Sequence, residues 1–104
     1  MGYAKIAVDF QKAINRAAEL ENLADSLRRT VNHDLAGAQE RLKRNWGGES
    51  ADLFMKKTSD VSERLLTVSE QIRKNARALR ELAARTRDAE IRAYEIARRR
   101  DYRN

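Results

Sequence analysis

The sequence predicts an all-α fold, an antiparallel helical hairpin in a single domain over residues 1–104. The chain has no Pro, only four Gly, and 37% charged residues. Its usage is dominated by Ala, Leu, Arg, Glu and Lys, which is typical of long helices and coiled coils. β-branched and aromatic residues are scarce, which argues against a sheet. Apolar residues recur at helical spacing on both sides of one short glycine-containing break, so we expect two helices.

The first helix is predicted over residues 9–44, with Asp9 as its N-cap. Asn32, His33 and Asp34 form its weakest part, and Gly37 costs about 1 kcal/mol relative to Ala. We still expect the helix to continue through this region. Steps of three or four residues define one apolar stripe: Ala13, Ala17, Leu20, Ala24, Leu27, Val31, Leu35, Ala38 and Leu42.

The break is predicted over residues 45–49, in the stretch Asn-Trp-Gly-Gly-Glu-Ser that begins at Asn45. It holds the only Trp of the chain and two of its four Gly. The chain must reverse within a few residues, and Gly adopts the backbone conformations that such a reversal needs at low cost. Two helices joined by so short a connection run antiparallel.

The second helix is predicted over residues 50–98, with Ser50 as its N-cap. Its apolar residues repeat every seven positions in two neighbouring rows, which is typical of a coiled-coil or bundle seam. Asn75 occupies a seam position, where it either controls register or is solvated. The first row is Phe54, Val61, Val68, Asn75, Leu82, Ala89 and Ile96, and the second is Thr58, Leu65, Ile72, Leu79, Thr86 and Ala93.

Two helices alone leave much of these stripes in water. Pairing two hairpins into a four-helix bundle buries them, so we expect a dimer with a second copy or with a related hairpin. The expected partner interface is Leu20, Leu27, Val31, Leu42, Phe54, Val61, Leu65, Val68, Ile72, Leu79 and Leu82.

Several chemistries are disfavoured by residue content. The chain has no Cys, so it forms no disulfide and has no cysteine-ligated metal. The single His, His33, lies beside Asp34, and adjacent helical positions point about 100° apart, so we expect that these two side chains do not face each other. No phosphate-binding loop or nucleophile elbow is present. We therefore expect a non-enzyme with no cofactor, no metal and no small-molecule substrate.

Basic charge is concentrated in the last third of the chain. Residues 1–70 hold 11 Lys+Arg and 11 Asp+Glu, whereas residues 71–104 hold 11 and 5, which accounts for the net charge of +6. The excess indicates either solvated helical faces or an anionic partner. An alternative function is therefore non-specific nucleic-acid binding or a scaffold role for this basic third. Interleaved Glu and Asp, and the lack of a groove-reading motif, weigh against nucleic acid.

No apolar run approaches the roughly 20 residues that span a bilayer. The first residues also lack the charged and then apolar pattern of a signal peptide. We expect no membrane span and no cleaved signal peptide.

The residues around the break resemble the WXG-100 family of type VII secretion proteins. Trp46-Gly47-Gly48 lies between two long helices near mid-chain, and Trp46, Gly48, Ser50, Ala51 and Phe54 fit the family's run of W-x-G-x-small-small-x-x-aromatic. The likeness covers nearly the whole chain. It implies a helical hairpin with a WxG turn that forms homo- or heterodimeric four-helix bundles.

The resemblance also implies a role in export. Family members are cytoplasmic before export and are then secreted, folded and as dimers, by a membrane ATPase. Trp46 and Gly48 would form half of the export signal, next to a Tyr-x-x-x-Asp/Glu motif in the partner's tail. Here Tyr94 is near the expected place, but Arg98 follows it four residues later. The chain is therefore expected to be a small helical substrate, or an export partner of a larger exported protein that carries the tail motif. Residues 99–104 are expected to be a basic tail.

Overall fold

The computed structural model describes residues 2–103, and the side chains of residues 2–101. Within this part of the chain every regular element is helical and no strand is present, which confirms the all-α class. Helix α1 is Tyr3–Arg29, and a π-helical segment, Thr30–Leu35, joins it to helix α2, Ala36–Asn45. Helix α3 is Glu49–Arg103. None of these described helices is both long and apolar enough to cross a bilayer.

Helix α1 begins at Tyr3, so the predicted start at Asp9 is wrong. Asp9 lies inside the helix, where its carboxylate accepts a hydrogen bond from Lys5 Nζ at 3.2 Å. The early start follows from packing, because Ile6 is 2% exposed and its N–H donates to the Gly2 carbonyl at 3.1 Å. Tertiary burial of one face, more than a capping residue, decides where a helix forms.

The π-helical segment coincides with the stretch that the sequence marks as weakest. In a π-helix the hydrogen bonds run from i to i+5, so each turn holds more residues than in an α-helix. The apolar stripe advances here by two successive steps of four, from Leu27 to Val31 to Leu35. The wider turn keeps these three side chains on one face, with Val31 buried and the two leucines half-buried. The helical path thus continues to Asn45, but not with α geometry throughout.

The non-helical break comprises residues 46–48. Trp46 is extended, with φ −140° and ψ 127°, and its N–H donates to the Leu42 carbonyl at 2.8 Å. Gly48 has φ 97°, a left-handed conformation that favours glycine. Its carbonyl accepts the Asp52 N–H at 3.1 Å. Gly48 therefore occupies the capping position predicted for Ser50.

Helix α3 extends beyond its predicted end at Arg98 and reaches Arg103. Residues 99–103 continue the helix rather than forming the separate basic tail that was predicted, and Asn104 lies outside the described residues. Arginine and alanine have high helix propensity, so nothing in the local sequence stops the helix at Arg98.

The chain divides into two compact units. In the terminal unit, residues up to Leu20 pack with residues from Lys74 onward, and the turn unit is Glu21–Arg73. The two units are described separately below.

The terminal unit pairs the start of α1 with the end of α3 in antiparallel fashion. The Tyr3 ring meets the Tyr94 ring edge-on, with centroids 4.7 Å apart, and the Arg87 guanidinium lies 4.3 Å from the centroid of the Phe10 ring. The pairing order therefore runs in opposite directions on the two helices. The residues buried in this unit are Ile6, Ala17, Ala76 and Ala83.

The turn unit is also antiparallel. Ser69 Oγ donates to the Ala24 carbonyl at 2.7 Å, and Gln39 Nε2 donates to Ser59 Oγ at 3.5 Å. A serine side chain is short, so its hydrogen bond to the backbone of the other helix requires the two helices to approach closely. The residues buried in this unit are Ala24, Val31, Ala51 and Ser69.

Candidate partner-binding surface

Small side chains on α3 provide its contact with the N-terminal helices. Ser69 in the turn unit, and Ala76 and Ala83 in the terminal unit, follow one another at intervals of seven residues and are buried. Small residues at a helix–helix contact permit a short interaxial distance. We call Ser69, Ala76 and Ala83 the inner row. The sequence-based prediction missed this row because it counted only large apolar residues, although the seven-residue repeat of small residues was visible.

Large apolar residues on α3 remain at the surface. In the turn unit Phe54 is 46% exposed, Val61 49% and Val68 46%. We call these three residues the turn-unit outer row. They belong to the first predicted seam row, and about half of each side chain is left exposed by the packing within the single chain. Large exposed apolar residues that recur on one helical face indicate a protein–protein contact.

The terminal unit carries an equivalent set on the same helix. Leu82 is 57% exposed and Ile96 is 49% exposed, and Ala89 between them is exposed as well. We call Leu82, Ala89 and Ile96 the terminal-unit outer row. Each unit therefore has its own half-exposed apolar row on α3.

The other predicted interface residues face the interior to different degrees. Val31 is 5% exposed, because it is buried by packing within the turn unit. In the second predicted seam row, Thr86 and Ala93 are exposed. The half-buried positions of that row are Thr58, Leu65, Ile72 and Leu79. The interface candidates that are half-buried in the single chain are Leu20, Leu27, Leu42, Leu65, Ile72 and Leu79. Among the predicted interface residues, Phe54, Val61, Val68 and Leu82 are the ones that the structure places at the surface.

Trp46 lies at the break in the turn unit and is 43% exposed. Its ring packs on the Phe54 ring, with centroids 5.7 Å apart and the ring planes tilted by 50°. A groove of about 320 Å³ beside it is lined by Leu42, Ala51 and Met55, among others. The neighbouring Leu53 is exposed too. Trp46 and its neighbours thus present an aromatic and aliphatic patch at the end of the turn unit, next to the turn-unit outer row.

Tyr94 contributes to packing inside the terminal unit. Besides its edge contact with Tyr3, its ring lies 5.8 Å from the guanidinium of Arg98. The ring is half-buried. Arg98, the residue that departs from the tail motif, is thus placed against the tyrosine itself.

Several basic residues of late α3 are engaged within the chain. Arg73 forms an ion pair with Asp25, and Arg87 combines its contact over Phe10 with an ion pair to Asp88 at 3.1 Å. Because these guanidinium groups already have partners, fewer of them are free to contact phosphate, which weighs against the nucleic-acid alternative.

The only histidine contacts its neighbour, contrary to the expectation that adjacent helical side chains do not meet. His33 Nδ1 lies 3.0 Å from Asp34 Oδ1, and the two side chains are 89% and 71% exposed. Both side chains border an open groove that Ser26, Arg29 and Thr30 also line. Among the described residues no group of three His, Cys, Asp or Glu is placed to hold a metal ion.

No family model, curated protein or solved structure matches this chain.

Proposed function

We propose that this chain is a binding protein that pairs with a second helical hairpin through the outer rows of α3. We further propose that it serves a type VII secretion system as a small substrate or as an export partner. The observation that carries the pairing is the turn-unit outer row, where three large apolar side chains recur every seven residues and stay half-exposed.

The free energy gained by burying the outer row is similar in size to the cost of association, so we expect every member of the row to be needed for pairing. Full burial of a Val or Phe side chain is worth about 1.5–3 kcal/mol, so burying the exposed half yields about half of that. Six such side chains, three from each partner, contribute roughly 5–9 kcal/mol. Association costs about 4–15 kcal/mol in lost freedom. Because the burial gain and the association cost are comparable, loss of a single outer-row side chain is expected to abolish the pairing.

A matched pair of neighbouring substitutions tests this interface. Val68→Asp places a charge in the outer row, where burial without a partner is costly. Thr67→Asp adds the same charge at an exposed position one residue earlier, about 100° away on the helix. We expect Val68→Asp to lose assembly and Thr67→Asp to keep it. Both variants are expected to keep their helix content, because Val68 is already half-exposed in the single chain.

The measurement is solution mass by light scattering over a hundredfold concentration range. The chain is measured alone and together with helical-hairpin proteins from the same genome. A Val68→Asp chain that assembles like the unmodified protein would place the interface elsewhere.

The export role is supported by the resemblance to WXG-100 proteins and by the exposure of Trp46. A large, partly exposed aromatic side chain is suited to receptor binding, and 43% of Trp46 is accessible. In the same patch Leu53 is 55% exposed, so it offers a control of similar character outside the W-x-G motif.

The export test compares Trp46→Ala with Leu53→Ala in a bacterium that has a type VII system and in the same strain without the membrane ATPase. We expect the unmodified chain and Leu53→Ala in the medium only when the ATPase is present. Trp46→Ala is expected to stay in the cells with nearly unchanged helix content. Secretion of Trp46→Ala at the unmodified level would remove Trp46 from the export signal, and ATPase-independent release of every chain would remove the secretion role.

A further inference from the structure

Charges of both signs border the terminal-unit outer row on one flank of α3. Each member of the row is followed three residues later by an arginine, and each of these arginines is preceded, four residues earlier, by an Asp or Glu. Residues at i and i+3 or i+4 are neighbours on a helix surface, so acidic and basic side chains alternate along the flank. We call this set the mixed border: Glu81, Arg85, Asp88, Arg92, Glu95 and Arg99.

The mixed border is accessible to a partner. Glu95 is half-buried and the other five side chains are exposed. Asp88 pairs with Arg87 at 3.1 Å, and Glu95 Oε1 accepts a hydrogen bond from the Tyr3 hydroxyl at 3.4 Å. A carboxylate offers about four acceptor sites, so each of these contacts leaves further sites for a second partner. Ion pairs along the border's own helix are weak when exposed, so they do not prevent pairing between chains.

The order of charges along the mixed border is complementary to itself when it is reversed. In an antiparallel contact between two copies, the twofold axis is perpendicular to both helices, so the same flank of each copy lies on the same side. One register then places every border residue opposite a residue of the other charge. The opposed residues are Glu81 and Arg99, Arg85 and Glu95, and Asp88 and Arg92, each pair occurring twice in the dimer.

Like charges are kept apart in that register. The nearest ones, such as Arg85 and Arg92 of the other copy, are displaced by three residues, about 4.5 Å along the helix. A shift of the contact by one heptad instead leaves two border residues of each copy without an opposite charge. Electrostatic complementarity of this kind fixes orientation and register more than it adds affinity.

The apolar row meets its own copy in the same register. Leu82 lies within two residues, about 3 Å along the helix, of Ile96 of the other copy, and such an offset suits interdigitation of side chains. Leu82 is 57% exposed and Ile96 is 49% exposed, so their contact removes apolar surface from water. Ala89 lies near the twofold axis, where a small side chain permits a short interaxial distance. On the other flank Thr86 lies opposite Ala93, and both are exposed and uncharged.

A groove in the terminal unit lies at the level of this contact. Its volume is about 190 Å³, and its apolar lining includes Ile6, Phe10, Leu79 and Leu82. The register given by the charges brings Ile96 of the other copy to the level of this groove. An aliphatic side chain from the partner is thus placed beside an apolar recess.

We propose that the terminal-unit outer row binds the same row of a second copy of this chain in antiparallel orientation, and that the mixed border sets the register. The inference rests on the proposed function, since it specifies the partner for the pairing proposed above. It selects the homomeric form of that pairing and assigns the six border residues as the determinants of register.

Two single charge reversals, measured alone and as a mixture, test this register. Glu81→Arg places two arginines opposite each other, and Arg99→Glu places two glutamates opposite each other. Each variant alone is expected to self-associate about tenfold more weakly than the unmodified chain at low salt. A 1:1 mixture restores opposite charges, so its dissociation constant should return to within about threefold of that of the unmodified chain. Positions 81 and 99 are about 27 Å apart on one helix, so a contact within one chain cannot explain the recovery.

A second mixture controls for net charge. Glu81→Arg mixed with Arg92→Glu has the same net charges, but the register leaves an arginine opposite Arg99 and a glutamate opposite Asp88. This mixture should stay about as weak as the single variants. At about 1 M salt, where the Debye length falls to about 3 Å, the differences between the chains should shrink. Assembly is measured by light scattering over a hundredfold concentration range.

Helix content by circular dichroism is compared for all chains. If Arg99→Glu loses helix near the end of α3, Asp88→Arg mixed with Arg92→Asp takes its place, because these two reversals test another opposed pair of the same register. Both positions are exposed, so we expect the helix to be kept.

Three results would overturn the inference: an unmodified chain that stays monomeric, single variants that self-associate as tightly as the unmodified chain, or equal assembly of the two mixtures. None of these decides the proposed function, which Val68→Asp and Thr67→Asp test separately in the turn unit, with related hairpins as well as with the chain alone. Equal assembly of that pair of variants, by contrast, would refute the pairing itself.

Discussion

Ser69→Ala tests whether α3 approaches its neighbour as closely as the inner row requires. Ser69 is 3% exposed, and its Oγ donates to the Ala24 carbonyl on the other helix at 2.7 Å. A typical intramolecular hydrogen bond contributes about 0.5–1.5 kcal/mol to stability. The Ala24 carbonyl, which loses this hydrogen bond in the variant, lies inside α1, where a helical N–H also donates to it. No buried group is then orphaned, so we expect a loss near the lower half of this range, about 0.5–1 kcal/mol.

Thr67→Ala is the matched control for the loss of a hydroxyl. Thr67 Oγ1 donates to the Glu63 carbonyl of its own helix at 3.0 Å and is exposed, so its removal should change stability by less than about 0.5 kcal/mol. Thermal unfolding is followed by circular dichroism at one fixed protein concentration, because assembly would shift the midpoint. At about 4–8 °C per kcal/mol, Ser69→Ala should lower Tm by about 2–8 °C. Equal midpoints for the two variants would refute the close approach of the helices at Ser69.

Three further substitutions follow from burial and backbone geometry. Ala76→Leu should lower stability by about 1–3 kcal/mol, because Ala76 is 0% exposed and its site is overpacked by a larger side chain; Ala78→Leu, at an exposed position on the same helix, should have little effect in the same denaturation assay. Gly48→Ala should cost about 1–2 kcal/mol through its φ of 97°, whereas Gly47→Ala should be tolerated, since an added Cβ meets nothing within 4 Å. Asp25→Ala should cost less than about 1 kcal/mol, because the ion pair with Arg73 is half-exposed; a larger loss in urea titration would contradict this view of the pair.

The fold class and the packed face of the first helical segment could be predicted from the sequence. The apolar stripe contains Ala17, Ala24 and Val31, and all three are buried. The prediction worked because large residues such as Leu20 and Leu27 share that face with the buried alanines. A single periodic stripe on an amphipathic helix leaves little choice about which side packs.

The packed face of α3 could not be predicted in the same way. Apolar residues occupy two neighbouring rows of this helix, and periodicity alone does not say which row meets the same chain. The structure buries a third row, the inner row of small residues. Ala and Ser contribute little to a hydrophobic count, yet Ala76 is 0% exposed because the close approach of another helix covers it.

The helix boundaries were predicted with mixed success. Capping preferences predicted Asp9 and Ser50 as the N-caps of the two helices. Instead, burial of Ile6 favours an earlier start of α1, and Gly48 caps α3. Capping residues contribute only about 1 kcal/mol, so packing overrides them. The glycine requirement of the turn was recognisable in advance, although only Gly48 has a positive φ.

The division of α3 into an inner row and two outer rows has a consequence for how such a chain can evolve. Folding depends on small residues that tolerate almost no enlargement, whereas about half of each large outer-row side chain remains outside the packing of the single chain. Mutations in Leu82 or Ile96 can therefore change the surface that is offered to a partner without a large effect on folding. Drift in one set of positions leaves the other intact, so duplicated copies of such a gene could acquire new partners while keeping the same fold.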